Sequence, residues 1–344
     1  MKDLKYLFAY IVPGVIFLSL YLRGSWVFLA IGVLFGLIPA LEQFMPGTED
    51  NFSPSQEERK KNRWIFDILL YLNVPVQYGL LFYFLYLFRT PLTPGEMAGM
   101  ILSMGIACGS LGINVAHELG HRPRKFEQRM SQALLLTSLY LHFFIEHNRG
   151  HHKYVATPLD PATARKGESL YAFWMRSIRD GYYSAWNLEK QRLQKLRQPV
   201  VSWANQMLRF QIIQIGFLVV IGLCFGFIPL LAFLGAALVG ILELETVNYL
   251  EHYGLLRKEI KTGVYERVLP RHSWNTNRTL GRIMLYELTR HSDHHYLASR
   301  KYQILRHFDE SPQLPQGYPG MMVLAMFPPL WFRVMHRQLE KIAS

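Results

Sequence analysis

Six apolar runs, each near the length of about 20 residues that a helix needs to cross a bilayer, confine this chain to a helical membrane architecture. They run roughly from Leu4 to Leu22, Trp26 to Phe44, Ile65 to Phe88, Met97 to Ala116, Phe210 to Phe227 and Pro229 to Leu250. No small-residue cleavage site follows the first run, so it is expected to be retained as a span. Pro13, Pro39 and Pro75 interrupt spans, which lipid-embedded helices tolerate where neighbours satisfy the freed carbonyl.

Half of the residues are hydrophobic and 18% are charged, yet 37 Lys and Arg outnumber 25 Asp and Glu. Their distribution predicts an orientation, because Lys and Arg stay on the cytoplasmic side. With the N-terminus inside, the inner segments carry Lys2, Lys5, the four basic residues of ERKKNR, 14 between residues 117 and 204, and 14 after His252. The outer loops carry Arg23 and Arg89. Both termini are thus expected in the cytoplasm. The chain then divides into a six-span bundle over 1–250, with a cytoplasmic insertion at 117–209, and a C-terminal segment over 251–344 that completes a helical cap. The basic excess reflects this topology and attraction to anionic lipid or acidic proteins; no basic run with interleaved aromatics points to nucleic acid.

The two cysteines, Cys108 and Cys224, fall inside spans and form no CxxC pair, so neither a thiolate metal site nor a redox centre is expected from them. GVLFG (32–36), GIACG (105–109) and GLCFG (222–226) match the small-xxx-small spacing that lets lipid-embedded helices approach closely.

Thirteen histidines occur in the chain, and nine of them fall in four short stretches. His117 and His121, in HELGH, close the fourth run with a spacing that puts both rings on one helix face. His147, His151 and His152 form HxxxHH behind SQALLLTSLYLHFFIEH, which is too short and too polar at its end for a span. His252 stands in NYLEHYGL where the sixth run ends, and His291, His294 and His295 form HxxHH. All four stretches lie on the side that the basic residues assign to the cytoplasm.

HELGH alone also suits a zinc protease with Glu118 as base, and histidine-rich tracts also serve metal transport. Nine imidazoles, however, exceed the four ligands of one zinc. Two ions with four or five ligands each use all nine, and iron joins affinity for imidazole to redox chemistry. Transport sites tend instead to lie at the midplane in broken spans. His142, His272, His307 and His336 stand outside the clusters and are expected to pack or be solvated, with His142 leaning toward the site.

With these residues in view, HELGHR, EHNRGHH, NYLEHYGL and LTRHSDHH closely resemble the signature boxes of the membrane-bound alkane 1-monooxygenases, the alkB-type hydroxylases, a group related to integral-membrane desaturases and fatty-acid hydroxylases. VATPLDPATARKGESLY, HSWNTN and GYPGMM resemble that family as well, so the likeness covers essentially the whole chain. NYLEHYGL discriminates most, since desaturases share the three other boxes but not usually this one. Arg122 stands where Lys is common and Thr289 where Gln is usual; neither departure touches a histidine, although Thr289 is in reach of altering a hydrogen bond behind one.

The resemblance implies a non-haem enzyme with two iron ions that inserts one oxygen atom of O2 into a terminal methyl group. It implies ligand roles for His117, His121, His147, His151, His152, His252, His291, His294 and His295, without assigning each to one iron. Electrons would come from rubredoxin, itself reduced by an NADH-dependent flavoprotein, docking as a small acidic protein on basic residues such as Arg165, Lys166 and KQRLQKLR. Glu118, Glu146, Asp160, Glu251 and Asp293 sit in or beside the boxes, where carboxylates offset the charge of the ions and orient the rings; Glu251 is the first choice. The hydrophobic alkane would enter a slot among the spans, and Leu34 of LFGLIP is a candidate for limiting its length. A methyl-arene hydroxylase, a lipid desaturase and a metal transporter are the alternatives.

Overall fold

The computed structural model describes residues 2–45 and 47–343; Met1 and Ser344, the limits of the two expected segments, and Pro46 lie outside them. In chain order the helices are α1 (Asp3–Leu22), α2 (Gly24–Glu42), α3 (Pro54–Lys61), α4 (Trp64–Leu87), α5 (Pro94–Gly120), α6 (Lys125–Leu136), α7 (residues 143–154), α8 (Leu170–Lys195), α9 (Gln206–Phe225) and α10 (Phe227–His252). A short antiparallel hairpin follows, β1 (Glu259–Lys261) and β2 (Val264–Tyr265), in which Glu259 faces Tyr265. The chain then forms α11 (Thr279–Met284), α12 (His291–Tyr296), α13 (Tyr318–Ala325) and α14 (Pro328–Ala343).

α1, α2, α4, α5, α9 and α10 are long and apolar enough to cross a membrane, and they coincide with the six apolar runs. The fourth begins earlier than its apolar run because Thr93 and Glu96 form a reciprocal capping box with Pro94 in the first turn. It also ends later, so His117 lies within the helix and His121 just past it. The apolar window of α5 is 72% buried and that of α9 only 11%, so α5 forms the centre of the bundle and α9 its lipid-facing rim.

Of the three small-xxx-small motifs, GIACG alone acts as a close-packing face. A Cβ on Gly105 would come 2.4 Å from Val239, and one on Gly240 would come 2.6 Å from Cβ of Cys108, so α5 and α10 meet backbone to backbone. Gly32 and Gly36 of GVLFG have no such neighbour, and GLCFG ends in Gly226, whose φ of 97° turns the chain from α9 into α10.

The start of α1 is fastened to the same end of the bundle as the C-terminal segment. Asp3 pairs with both Lys60 and Arg63. Glu287 accepts hydrogen bonds from Lys5 Nζ (2.7 Å), Tyr6 OH (2.8 Å) and Arg282 Nε (2.7 Å). The carboxylate is fully enclosed, and Arg282 and Lys5 overcome the effect of burial to hold it down to about 2.

Candidate metal centre

Each of the four histidine stretches lies at a helix end or on a short helix, and all converge at the C-terminal ends of α5 and α10. α7 departs from regular geometry in a way the spacing of HxxxHH does not reveal. Residues His147–His151 form a π-turn in which the amide N–H of His152 donates to the carbonyl of His147. The wider turn brings positions five apart into line, so His147 and His152 face one direction and His151 another. Gly150 makes this packing possible, because a Cβ there would come 2.7 Å from Oε1 of Glu146 and 3.0 Å from Leu188.

The nine rings separate into two groups. His117, His121, His147, His152 and His294 offer nitrogens that all lie within 4.8 Å of one another, and so do His151, His252, His291 and His295. In the first group, Nε2 of His147 is 3.0 Å from Nε2 of both His121 and His152, and Nε2 of His152 is also 3.0 Å from that of His294. In the second, His295 lies 3.2 Å from His151 and 2.8 Å from His291, and His291 lies 3.2 Å from His252, all between Nε2 atoms. An imidazole nitrogen has one proton or one lone pair, so an Nε2 with two close nitrogen neighbours is poorly served by hydrogen bonding. Nitrogens about 3 Å apart are what ligands on a common ion at about 2.0–2.1 Å require. Nε2 of His117, and Nδ1 of His252, His291 and His295, are buried without a hydrogen-bond partner among the described residues. Burial first, then the neighbouring imidazoles, drives His147, His152, His291, His294 and His295 well below the ordinary imidazole value, and His121 to about 3. All six are therefore neutral, the form that binds a metal ion.

The carboxylates divide less evenly than their sequence positions suggest. Asp160 lies beneath His151, with Oδ2 3.0 Å from Nδ1. Thr163 Oγ1 donates to the same oxygen (2.6 Å) and the Ala162 amide to Oδ1 (3.1 Å). Burial acts to raise Asp160, but His151 and Thr163 hold it below the ordinary carboxylate range; burial likewise acts to lower His151, and Asp160 lifts it. Glu251 is closer in than expected. Its Oε2 is 3.1 Å from Nε2 of His291, the nitrogen facing the group, and Tyr318 OH donates to Oε1 (2.7 Å).

Among the described residues the hydrogen bonds and ion pairs of Glu118 and Asp293 go to groups other than the clustered histidines. Oε1 of Glu118 accepts from Arg122 Nε (3.0 Å) and Nη2 (2.6 Å) and from the Tyr302 amide (3.3 Å), so it is committed to an ion pair instead of serving as a protease base. Asp293 accepts the Arg306 amide (2.7 Å) and pairs with Arg300 (3.1 Å), while burial raises it to about 6. A step of one residue rotates each of these carboxylates by about 100° around the helix from the imidazole beside it in sequence. Glu146 shares a small polar cavity with His142, His147, His151 and Glu245, and burial, reinforced by Asp160, pushes it to about 8.

Glu245 and Glu243 escape the reading of the boxes, although LELE inside an apolar run was a visible signal. Glu245 is buried and accepts from Tyr140 OH (2.9 Å) and Ser177 Oγ (2.6 Å). Outside both groups, His142 packs against Tyr140 and Tyr182, His272 faces Glu266, His307 meets Asn277, and His336 meets Tyr253. Thr289 makes no hydrogen bond to a histidine: its hydroxyl is buried without a partner among the described residues, and its carbonyl accepts the Thr276 amide.

A chamber lies directly beneath the rings, bounded by His117, His147, His291, Phe143, Leu288 and Glu251. Farther into the bundle an apolar groove of ≈ 420 Å³ opens among Ile31, Phe35, Ile106, Val239 and Met322. Leu34, expected to limit a slot, is instead buried in the apolar core with Val27 and Met100, and its neighbour Phe35 lines the groove.

The fatty acid desaturase family matches residues 95–325. Alkane 1-monooxygenase 2 of Pseudomonas aeruginosa is 41% identical over 315 residues, 91% of this chain and 84% of that protein. Alkane 1-monooxygenase of Ectopseudomonas oleovorans is 42% identical over 314 residues, 90% of this chain and 77% of its own. At greater distance, the xylene/toluene monooxygenase hydroxylase component of Pseudomonas putida is 28% identical over 346 residues. With two groups of imidazoles at the end of a six-span bundle and this likeness over nine-tenths of its length, the chain belongs to the alkane 1-monooxygenase family of membrane oxidoreductases.

Proposed function

We propose that this protein hydroxylates the terminal methyl group of alkanes, consuming O2, two electrons and two protons and releasing the primary alcohol and water. Two iron ions are the cofactor, one held by His117, His121, His147, His152 and His294, the other by His151, His252, His291 and His295. The observation that carries this reading is the division of nine imidazoles into groups of five and four above a chamber in the bundle. Bound iron supplies the activation of O2 and the attack on an unactivated C–H bond. The protein supplies the rest.

Asp160 holds the Nδ1–H of His151 and thereby presents its Nε2 to the four-membered group. Tyr318 fixes one oxygen of Glu251 so that the other stays beside His291 at the wall of the chamber. Glu118, with Arg122 and Asp67, and Asp293, with Arg300, act as positioning residues that anchor α5 and α12. An alkane has no polar handle, so the chamber orients it by shape. The iron site and both termini lie in the cytoplasm on the distribution of Lys and Arg, with residues 117–209 and 251–344 forming a cap on the 1–250 bundle. Rubredoxin, itself reduced by an NADH-dependent reductase, docks on that basic face and delivers the electrons.

The test is turnover of mixed alkanes by iron-loaded protein in lipid nanodiscs with rubredoxin, its reductase, NADH and labelled dioxygen. Labelled primary alcohol is expected, and its absence with every alkane would overturn the assignment.

A further inference from the structure

Glu243 lines both the chamber beneath the histidines and the apolar groove. It lies nine residues before His252 on α10, about 13 Å away along the helix axis. Its Oε1 accepts a hydrogen bond from Ser110 Oγ (2.8 Å), whereas Oε2 is buried with no partner among the described residues. The space for Oε2 exists because residue 109 is glycine: a Cβ there would come 2.3 Å from that oxygen. Gly109 and Ser110 both belong to the π-turn Cys108–Ile113 of α5, so one local irregularity both makes room for the carboxyl and tethers it. Placing a carboxyl beside an apolar groove within a span is costly, and such side chains ordinarily mark the path of a ligand.

From this arrangement we infer that Glu243, tethered by Ser110, is the neck between groove and chamber and selects chains by their cross-section. The inference rests on the alkane reading above. A linear chain with its methyl among the histidines outgrows a chamber of ≈ 40 Å³ and has to pass beside Glu243 into the groove. The aliphatic part of the side chain lets an unbranched chain by, and the fixed carboxyl obstructs a branch or a ring. Glu243 is a specificity-determining residue on this view and takes no part in the chemistry at the metal.

Two variants test this with a readout independent of turnover. Protein in nanodiscs is photolabelled with a linear alkyl diazirine and with a bulky adamantyl diazirine, and labelled residues are mapped by mass spectrometry. In the parent protein the linear probe should mark Phe143 and Leu288 of the chamber, and the bulky probe only groove residues such as Ile106 and Met322. Glu243→Trp should remove chamber labelling by the linear probe while groove labelling persists. Glu243→Ala should admit the bulky probe to the chamber and raise the ratio of branched to linear turnover about tenfold. Unchanged chamber labelling in both variants, or in Glu243→Ala alone if Glu243→Trp does not fold, overturns the inference. Chamber labelling that depends on residue 243 without any turnover in the parent protein would keep the neck and refute the alkane reading.

Discussion

Oδ2 of Asp160 lies 3.0 Å from Nδ1 of His151, the only one of the nine clustered histidines for which the described residues provide a carboxylate at the nitrogen turned away from its group. That contact selects one tautomer and leaves Nε2 free to bind. Asp160→Ala should weaken metal binding by the four-membered group roughly 10- to 100-fold. Titration of iron against a chromophoric chelator measures this, and an unchanged affinity would remove Asp160 from the centre.

The two groups should lose metal independently. His295→Ala, in the group of four, and His121→Ala, in the group of five, should each lower bound iron from two ions per chain toward one. His142→Gln should retain both, since His142 belongs to neither group. Metal analysis after gel filtration decides the matter; if His295→Ala and His142→Gln have equal content, the partition is wrong.

Acid should destabilise the metal-free protein over a defined window. His121 is held at about 3 by burial, and the other neutral imidazoles outside the spans are shifted in the same direction. The unfolded chain therefore binds more protons than the folded one as pH falls from about 6.5. Stability should be full above that value and decline toward pH 3, and iron should move the decline to lower pH by competing with the protons. Thermal unfolding in detergent at successive pH values tests the sign.

Glu287→Gln should be among the more damaging changes remote from the metals. It leaves Arg282 and Lys5 facing a neutral amide in an enclosed site, at a cost of about 3–5 kcal/mol. Because this carboxylate is held near 2, its contribution is fully present above about 4.3 and fades as pH falls from there toward about 2. Melting curves of the variant and parent should differ strongly at neutral pH and converge in acid.

Leu34→Trp separates core from slot. Overpacking at this buried position should cost about 1–3 kcal/mol and leave the range of oxidised chains unchanged. Phe35→Ala, on the groove, should broaden that range. Product profiles from mixed alkanes distinguish the two positions.

The spans were legible because lipid requires length and continuous apolarity, both one-dimensional properties. The nine histidines were legible because helical spacing and sidedness are also readable along the chain. The carboxylates were not, since adjacency in sequence does not tell which way a side chain leaves its helix. Glu118 and Asp293 stand beside clustered histidines and pair with arginines, whereas Asp160, eight residues past His152, reaches His151 through a turn. Leu34 and Phe35 were ambiguous for the same reason: neighbours on a helix differ by a rotation that only tertiary packing resolves.

The π-turn at His147–His151 makes the centre depend on register. Rewinding α7 to ordinary pitch with no residue removed would swing His152 through about 100° away from His147. The ring would leave the group of five with every histidine still present in the sequence. The same nine histidines would then describe a damaged centre, so it is the wide pitch of this single turn, and not the count of imidazoles, that holds the group of five together.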